Sequence, residues 1–395
     1  MKINPVEKVH SYFIQLGISP ELNESKFWQT IQLNHGNIQF QKLVNSMNER
    51  SNNYTNATDI YEIKNETLPL SLDFTSMTAD FLRGFLEWFT NFGAKLTPSK
   101  ILEIGCDNGV TACFLALFYP NAEVIGIDMR KNGINRAREL AKKLDLKKIQ
   151  FISTDFKDYS QETKNEFDLI ISLRTMHEML DSQEMSTSFT TNEFIESLNL
   201  QADPILNSIQ GLLKDDESLF ISCERLSSTY SVAFYSELLQ KSNLFIDWDH
   251  VLYNHSHQFD TPQNNPIFVT KSKRNEYTTF DGLVQLAKNR DKEPNINGVL
   301  AEVFMKNFQP HQLEGGVQIN SIHSGEKFRM ECWSDSEHAY LYKYDNLGYH
   351  EIFQYPAEEI DEVLYEMEML LLEYAPPNST IVFDYETIQE REELI

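Results

Sequence analysis

From Ser99 onward, short β-branched runs alternate with segments of helical spacing, which restricts the chain to folds whose parallel strands are joined by crossover helices. The runs are residues 100–104, 123–127, 149–153, 167–173 and 218–223, with helix-like stretches such as 132–144 between them. This rhythm predicts an α/β fold built on a doubly wound sheet. After the fifth run, 230–241 has helical spacing. Residues 245–252 and 267–271 are expected as two more strands, joined by a polar, proline-containing loop into an antiparallel hairpin at the sheet edge.

The flanking regions follow other patterns. Residues 1–98 show helical spacing in several stretches, most clearly over 77–92, where Phe81, Phe85, Trp88, Phe89 and Phe92 share one side. The Asn- and Ser-rich stretch 45–57 is expected as a loop. From 273 the βα rhythm is lost. Residues 291–298 suit a linker, 317–322, 328–333, 340–344 and 349–354 suit strands with a turn at Asn346-Leu347-Gly348, and 357–374 suits an acidic amphipathic helix. The expected division is a helical N-terminal region (1–98), a doubly wound domain (99–272) and a linker with a small α+β module (273–395).

With 41% hydrophobic and 12% aromatic residues, the chain has the apolar surface that a packed core requires. Its formal net charge of −25 disfavours nucleic acid, because a phosphate backbone is repelled at long range. The basic clusters at 142–143 with 147–148 and at 271–274 are expected as solvated faces. The scattered Cys106, Cys113, Cys223 and Cys332 lack the pairing of a metal site or a disulfide scaffold, so they are expected as reduced, buried thiols with no metal. The start of the sequence lacks a signal-peptide core, and no apolar run reaches bilayer length, so a cytoplasmic protein without a membrane partner is expected.

The stretch Ile101-Leu102-Glu103-Ile104-Gly105-Cys106-Asp107-Asn108-Gly109-Val110 runs from a strand through glycines into a helix over 111–118. Glycines there permit a tight turn and close approach of a ligand at the carboxyl end of a strand. Taken alone they serve equally well as turn formers. Glu103 adds weight to a ligand, because a carboxylate in an apolar strand is costly to bury without a partner. A dinucleotide fingerprint needs glycine where Asp107 stands, and a carboxylate there repels a diphosphate, which argues against a nicotinamide oxidoreductase.

The stretch resembles the first motif of class I S-adenosylmethionine-dependent methyltransferases, Glu/Asp-x-Gly-x-Gly-x-Gly. Here it stands as Glu103-x-Gly105-x-Asp107-x-Gly109, with Asp107 in place of the middle glycine. The resemblance covers about residues 99–271 and implies a Rossmann-like methyltransferase core that binds S-adenosylmethionine. The ammonium and sulfonium groups of that cofactor suit Glu103 and Asp107 as electrostatic partners. Val124-Ile125-Gly126-Ile127-Asp128 ends its strand in a carboxylate placed for the ribose hydroxyls, with a helix cap as the rival role. Thr154-Asp155-Phe156 resembles the adenine contact, Asp155 accepting from the exocyclic amine and Phe156 lying against the ring, although an aspartate after a strand is also ordinary turn chemistry. Gly105, Cys106, Gly109, Met129 and Leu173 complete the implied cofactor contacts. The segment 212–218 resembles the family's Leu-Lys-Pro-Gly-Gly turn without its proline and glycines.

Ser172-Leu173-Arg174-Thr175-Met176-His177-Glu178 stands where family members present groups to the acceptor. His177 is a candidate general base, since an imidazole titrates near neutrality, and Glu178 is a second catalytic candidate; a structural role is the alternative for both. The segment does not match the Asn/Asp-Pro-Pro-Tyr/Phe motif of base amino-methylation, and no cysteine follows a proline as cytosine C5 chemistry requires. The resemblance therefore implies methyl transfer to an oxygen or nitrogen of a small molecule or protein side chain, with residues 1–98 as a lid over the acceptor. The alternative is a catalytically silent cofactor-binding protein that acts through its C-terminal module, whose acidic helix carries Glu358, Glu359, Asp361, Glu362, Glu366 and Glu368.

Overall fold

The structure, a computed structural model, describes residues 5–52, 60–180, 202–226, 229–259, 261–273, 312–321, 327–345, 350–374 and 379–384. The main sheet contains β1 (Lys100–Ile104), β2 (Glu123–Asp128), β3 (Ile149–Ser153), β4 (Leu169–Leu173), β5 (Leu219–Cys223), β6 (Phe245–Ile246), β7 (Leu252–Gln258) and β8 (Thr261–Lys271). Its order is β3-β2-β1-β4-β5-β8-β6, with β7 paired to β8. The first five strands are mutually parallel, and β8 runs antiparallel to β5. The winding reverses between β1 and β4, so the carboxyl ends of those strands flank the crevice where open α/β sheets bind ligands.

Alternation along the strands sorts side chains into a cluster on each face of the sheet. Leu102, Ile104, Ile125 and Ile127 enter one cluster with Phe220, Tyr235 and Phe268, while Ile101, Val124 and Ile171 enter the other with Phe85 and Phe89. Crossover helices α6 (Val110–Phe118), α7 (Lys131–Lys143), α8 (Phe156–Glu162), α9 (Met176–Met179), α10 (Pro204–Leu212) and α11 (Thr229–Lys241) connect the strands. All four cysteines are free and buried. None of the described helices is long and apolar enough to cross a membrane.

Ahead of the sheet lie α1 (Pro5–Leu16), α2 (Glu24–Asn52), α3 (Ile60–Lys64), α4 (Leu68–Thr75) and α5 (Ala79–Gly93). Helix α2 is two helical segments joined at Gly36, whose φ of 83° breaks the helix. The loop expected over 45–57 is helical through Asn52, because Leu43 and Met47 are drawn into a cluster with Phe27, Ile31 and Phe74; residues 53–57 lie outside the described residues. On α5, Phe81, Phe85 and Phe89 are buried and Trp88 and Phe92 pack at the margin of the same core, as the spacing predicts.

The edge hairpin departs from expectation. The polar stretch expected as its loop is ladder: β7 and β8 pair from Leu252↔Ile267 to Gln258↔Thr261, whereas β6 is a separate short strand. Hydrogen bonds within the hairpin absorb the polar side chains. Asn265 donates to the Asn254 carbonyl and to Ser256, and Asn254 donates 3.0 Å to the Phe81 carbonyl in α5. A Cβ on Gly84 would meet the Asn254 amide at 2.2 Å, so α5 lies flush on β7.

The C-terminal region is a second, antiparallel sheet of β9 (Gln312–Ser321), β10 (Lys327–Ser334), β11 (His338–Asp345), β12 (His350–Pro356) and β13 (Ser379–Asp384), ordered β12-β11-β10-β9-β13. The strand β13 has no counterpart among the sequence expectations. Helix α12 (Ile360–Tyr374) places Val363 and Met367 against Val317, Ile319, Met330 and Leu341, while Trp333, Tyr342, Tyr344 and Ile352 join the cluster that contains Leu226, Tyr235 and Trp248. Residues 291–298 and 346–348, expected as linker and turn, lie outside the described residues.

Candidate cofactor and acceptor site

The loop after β1 is built as its sequence demands. Gly105 (φ 72°) and Gly109 (φ 77°) adopt the left-handed conformation, and a Cβ on Gly105 would fall 2.3 Å from Thr175 Oγ1. Only a residue without a side chain lets the loop after β4 abut the loop after β1. The Gly105 and Cys106 amides both donate to the Ile127 carbonyl, which fixes the loop against β2 and leaves Cys106 buried. Glu103 is also buried, and its Oε2 has no hydrogen-bond partner among the described residues. Burial raises its carboxyl well above the usual range, offset in part by the Ala112 amide and Thr111. An orphaned, buried carboxylate oxygen beside a glycine cradle fits a ligand that brings an ammonium group.

Asp107, the departure from the motif, takes φ 46° and is already engaged. Lys64 Nζ lies 2.6 Å from one carboxylate oxygen and Asn65 Nδ2 donates 2.6 Å to the other. The expected partnership of Asp107 with the cofactor's cation is therefore taken by α3 and the residue that follows it. Asn65 also accepts from Ser71, and Asn108 donates to Ser71 and Thr75, so a buried polar chain ties α4 to the same loop. Elsewhere on α3, Glu62 accepts from the Lys131 and Asn132 amides at the start of α7, and Tyr61 donates 2.7 Å to Glu178. This one short helix thus touches the loops after β1, β2 and β4. Nothing in the local sequence of 60–65 marks it for that role, because the partners come from distant segments.

Asp128 sits at the end of β2, where its carboxylate accepts from the Asp107 and Arg130 amides. Burial pushes it up to about 6, with the Asp107 charge adding to the rise and the backbone donors and Lys64 opposing it. Each carboxylate oxygen retains a lone pair for a ribose hydroxyl. Met129 beside it is exposed, offering an apolar surface at the crevice. Asp155 is an N-cap, accepting 2.7 Å from the Lys157 amide. Phe156 is only 5% exposed within the core cluster, which leaves its ring little surface to lie against adenine.

The loop after β4 carries the catalytic candidates. Leu173 is partly buried at the strand end, and His177 Nδ1 lies 2.9 Å from Glu224 Oε2. Glu224, fully buried just past β5, uses Oε1 to accept from the Thr175 and Met176 amides at 3.0 Å each. One carboxylate thereby sets both the loop and the imbalance between the two imidazole nitrogens: Nδ1 is committed to Glu224, and Nε2 is the nitrogen available to accept a proton. Glu224 was not among the sequence candidates, although a carboxylate ending a strand at the ligand-bearing edge is a signal that pattern reading can use. Glu178 is exposed, holds the Tyr61 hydroxyl and lies 3.9 Å from His177 Nε2.

Residues 97–265 match the family model described as a methyltransferase domain. With the strand order and the glycine loop, this establishes that the chain carries a class I, Rossmann-like methyltransferase domain, the kind whose cofactor is S-adenosylmethionine. Similar curated proteins include a ribosomal RNA small subunit methyltransferase G of Thermotoga sp. (33% identical over 70 residues, 18% of this chain and 31% of that protein). A ubiquinone biosynthesis O-methyltransferase of Acinetobacter baylyi is 27% identical over 96 residues, 24% of this chain and 40% of that protein. The chain thus spans about a third of the length of the first of these relatives. A crystal structure of a SAM-dependent methyltransferase from Aquifex aeolicus aligns with 44% of this chain and 82% of its own at 14% identity and a TM-score of 0.31.

Proposed function

We propose that the chain transfers a methyl group from S-adenosylmethionine to an oxygen or nitrogen nucleophile of a small molecule or protein side chain, with His177 as the general base. The observation that carries this reading is the pairing of His177 with the buried Glu224, in a loop that packs on Gly105 through Thr175. A base directed by a carboxylate stands beside the cofactor cradle, which suits an acceptor that must lose a proton as it attacks.

In this reading Glu103, Gly105, Gly109 and Asp128 hold the cofactor, with Cys106 and Met129 lining it. The bound cofactor supplies a methyl group on a sulfonium leaving group. The protein's own part is to orient and desolvate the acceptor and to take its proton at His177 Nε2, while Glu224 stabilises the imidazolium that results. The helix α3 closes the crevice from above. The net charge of −25 supports a small-molecule or protein acceptor over RNA. The silent-binder alternative is not favoured, because residues 97–265 match a methyltransferase domain.

The test is a screen of cell extract with cofactor labelled in its methyl group, sorting label into small-molecule, protein and RNA fractions. Label in the first two fractions, lost in His177→Gln, is the expected result. Label confined to RNA, or transfer undiminished in the variant, overturns the reading.

A further inference from the structure

We propose that Arg174 anchors an anion subsite in the acceptor crevice, so that the methyl acceptor carries a carboxylate or phosphate group besides the atom that is methylated. This rests on the methyltransferase reading of the same site. Arg174 opens the loop after β4, three positions before His177, in a left-handed conformation (φ 54°) that is strained for a residue with a side chain. The surroundings hold it there. Its amide donates to the Cys223 carbonyl at 2.8 Å, Nε donates to Asn265 Oδ1 at 3.0 Å, and its guanidinium lies 3.8 Å over the Phe81 ring. Asn265 is in turn fixed by Ser256 and the Asn254 carbonyl.

The terminal nitrogens are different. Nη1 and Nη2 are both shut off from solvent, and neither has a hydrogen-bond partner among the described residues. A guanidinium stays charged under all ordinary conditions, so leaving its outer N–H groups unmet in a desolvated place is costly. The nearby carboxylate of Glu224 is not at liberty to meet them, being committed to His177 and the Thr175 and Met176 amides. Arg225, which repels Arg174, points its own charge toward Gln258. Arg174 shares its loop with His177, whose carboxylate partner Glu224 is among the charges that act on the guanidinium. Two parallel N–H groups held by a stacked, pre-aimed fork match a carboxylate or a phosphate, and an anion there would satisfy both at once.

The test titrates benzoate, phenyl phosphate and the uncharged isostere benzamide into the full chain by calorimetry, with and without S-adenosylhomocysteine. The expected result is saturable binding of one or both anions and none of the amide. Whichever anion binds tighter identifies the acceptor's group as carboxylate or phosphate. Arg174→Gln should weaken that anion by about tenfold or more, as removal of charge-assisted hydrogen bonds does, while Arg174→Lys retains part of the affinity. Melting curves guard against a folding defect. Loss of an unpaired buried charge should leave the melting temperature of Arg174→Gln at or above that of the wild type, and the anion should raise the melting temperature of the wild type alone. Absence of anion binding, equal binding of benzamide, unchanged affinity in Arg174→Gln, or a lowered melting temperature of that variant each overturns the proposal. The heat of S-adenosylhomocysteine binding is read in the same samples, so its absence beside intact anion binding would count against the methyltransferase reading and leave the anion subsite standing.

Discussion

The ammonium of Lys64 lies 2.6 Å from the Asp107 carboxylate, joining the shortest N-terminal helix to the glycine loop after β1, the proposed cofactor cradle. The side chains are 14% and 29% exposed, so the pair is shielded enough to exceed a surface ion pair and wet enough to fall short of a fully buried one. A double-mutant cycle of Lys64→Met and Asp107→Asn should show a coupling of about 1–2 kcal/mol in urea unfolding. Strict additivity would mean that the contact does not hold α3 in solution.

Asp128 gives the domain a pH signature. Its carboxyl titrates at about 6 when folded, above the ordinary 3.8, so the folded chain holds that proton more tightly than the unfolded chain. The sign follows: this group's contribution to stability is fully present below about 3.8 and is lost as pH rises through 6. Asp128→Asn should flatten the stability profile over that window. Ribose hydroxyls need the ionised acceptor, so below pH 6 cofactor affinity should fall by roughly tenfold more per pH unit in the wild type than in the variant, whose amide does not titrate. Parallel profiles in the two proteins would rule out the ribose role.

Burial holds the Glu103 carboxyl well above the usual range, and its Oε2 lacks a partner among the described residues. A cationic ligand placed beside it favours the charged form and displaces a proton. Calorimetry of S-adenosylmethionine binding in buffers of different ionisation heat, at a pH where Asp128 is already ionised, should report proton release that disappears in Glu103→Gln. Equal release in both proteins would locate the proton elsewhere.

In the proposed reaction, Glu224 acts on the acceptor only through His177. Glu224→Gln should lower kcat by about 10²–10⁴ while leaving KM for the acceptor within a few-fold, and Glu224→Asp should recover part of the loss. A rise in KM with kcat intact would instead make Glu224 a mere support of the loop.

In the C-terminal sheet, Glu331 is fully buried and meets Arg329 Nε at 2.6 Å, with the Trp333 indole and Tyr344 hydroxyl at 3.0 Å each. Truncating one member leaves charge without its partner. Glu331→Ala should destabilise the chain by about 3–5 kcal/mol in denaturant unfolding. A loss under ~1 kcal/mol, the range of an exposed pair, would show that water reaches the cluster.

The strand rhythm made the five parallel strands and their doubly wound arrangement readable, since β-branched runs of this length between helical segments admit few arrangements. The edge hairpin is less legible, because polar residues there carry the ladder. Asn254, Ser256 and Asn265 look like turn chemistry in isolation, and only their pairing with each other and with Phe81 shows that they are ladder. Among the proposed cofactor contacts, Glu103, Gly105, Gly109 and Asp128 are legible because a backbone turn or a buried carboxylate leaves a local trace. Tyr61, Glu62, Lys64 and Asn65 left none, as their meaning depends on loops that lie more than 40 positions away. Phe156 shows the opposite case: its neighbourhood resembles the motif while its ring belongs to the core cluster.

The hydrogen bond from Asn254 to the Phe81 carbonyl spans 173 positions. During synthesis, α1 to α5 leave the ribosome before the strand on which α5 rests exists. Such non-local closure is slow and must wait for the β7–β8 hairpin. Helix α5 is therefore seated only after a strand made much later, and a chain truncated before residue 252 would leave the side of α5 that β7 covers, around Phe81 and Gly84, as a ready surface for chaperones and for self-association.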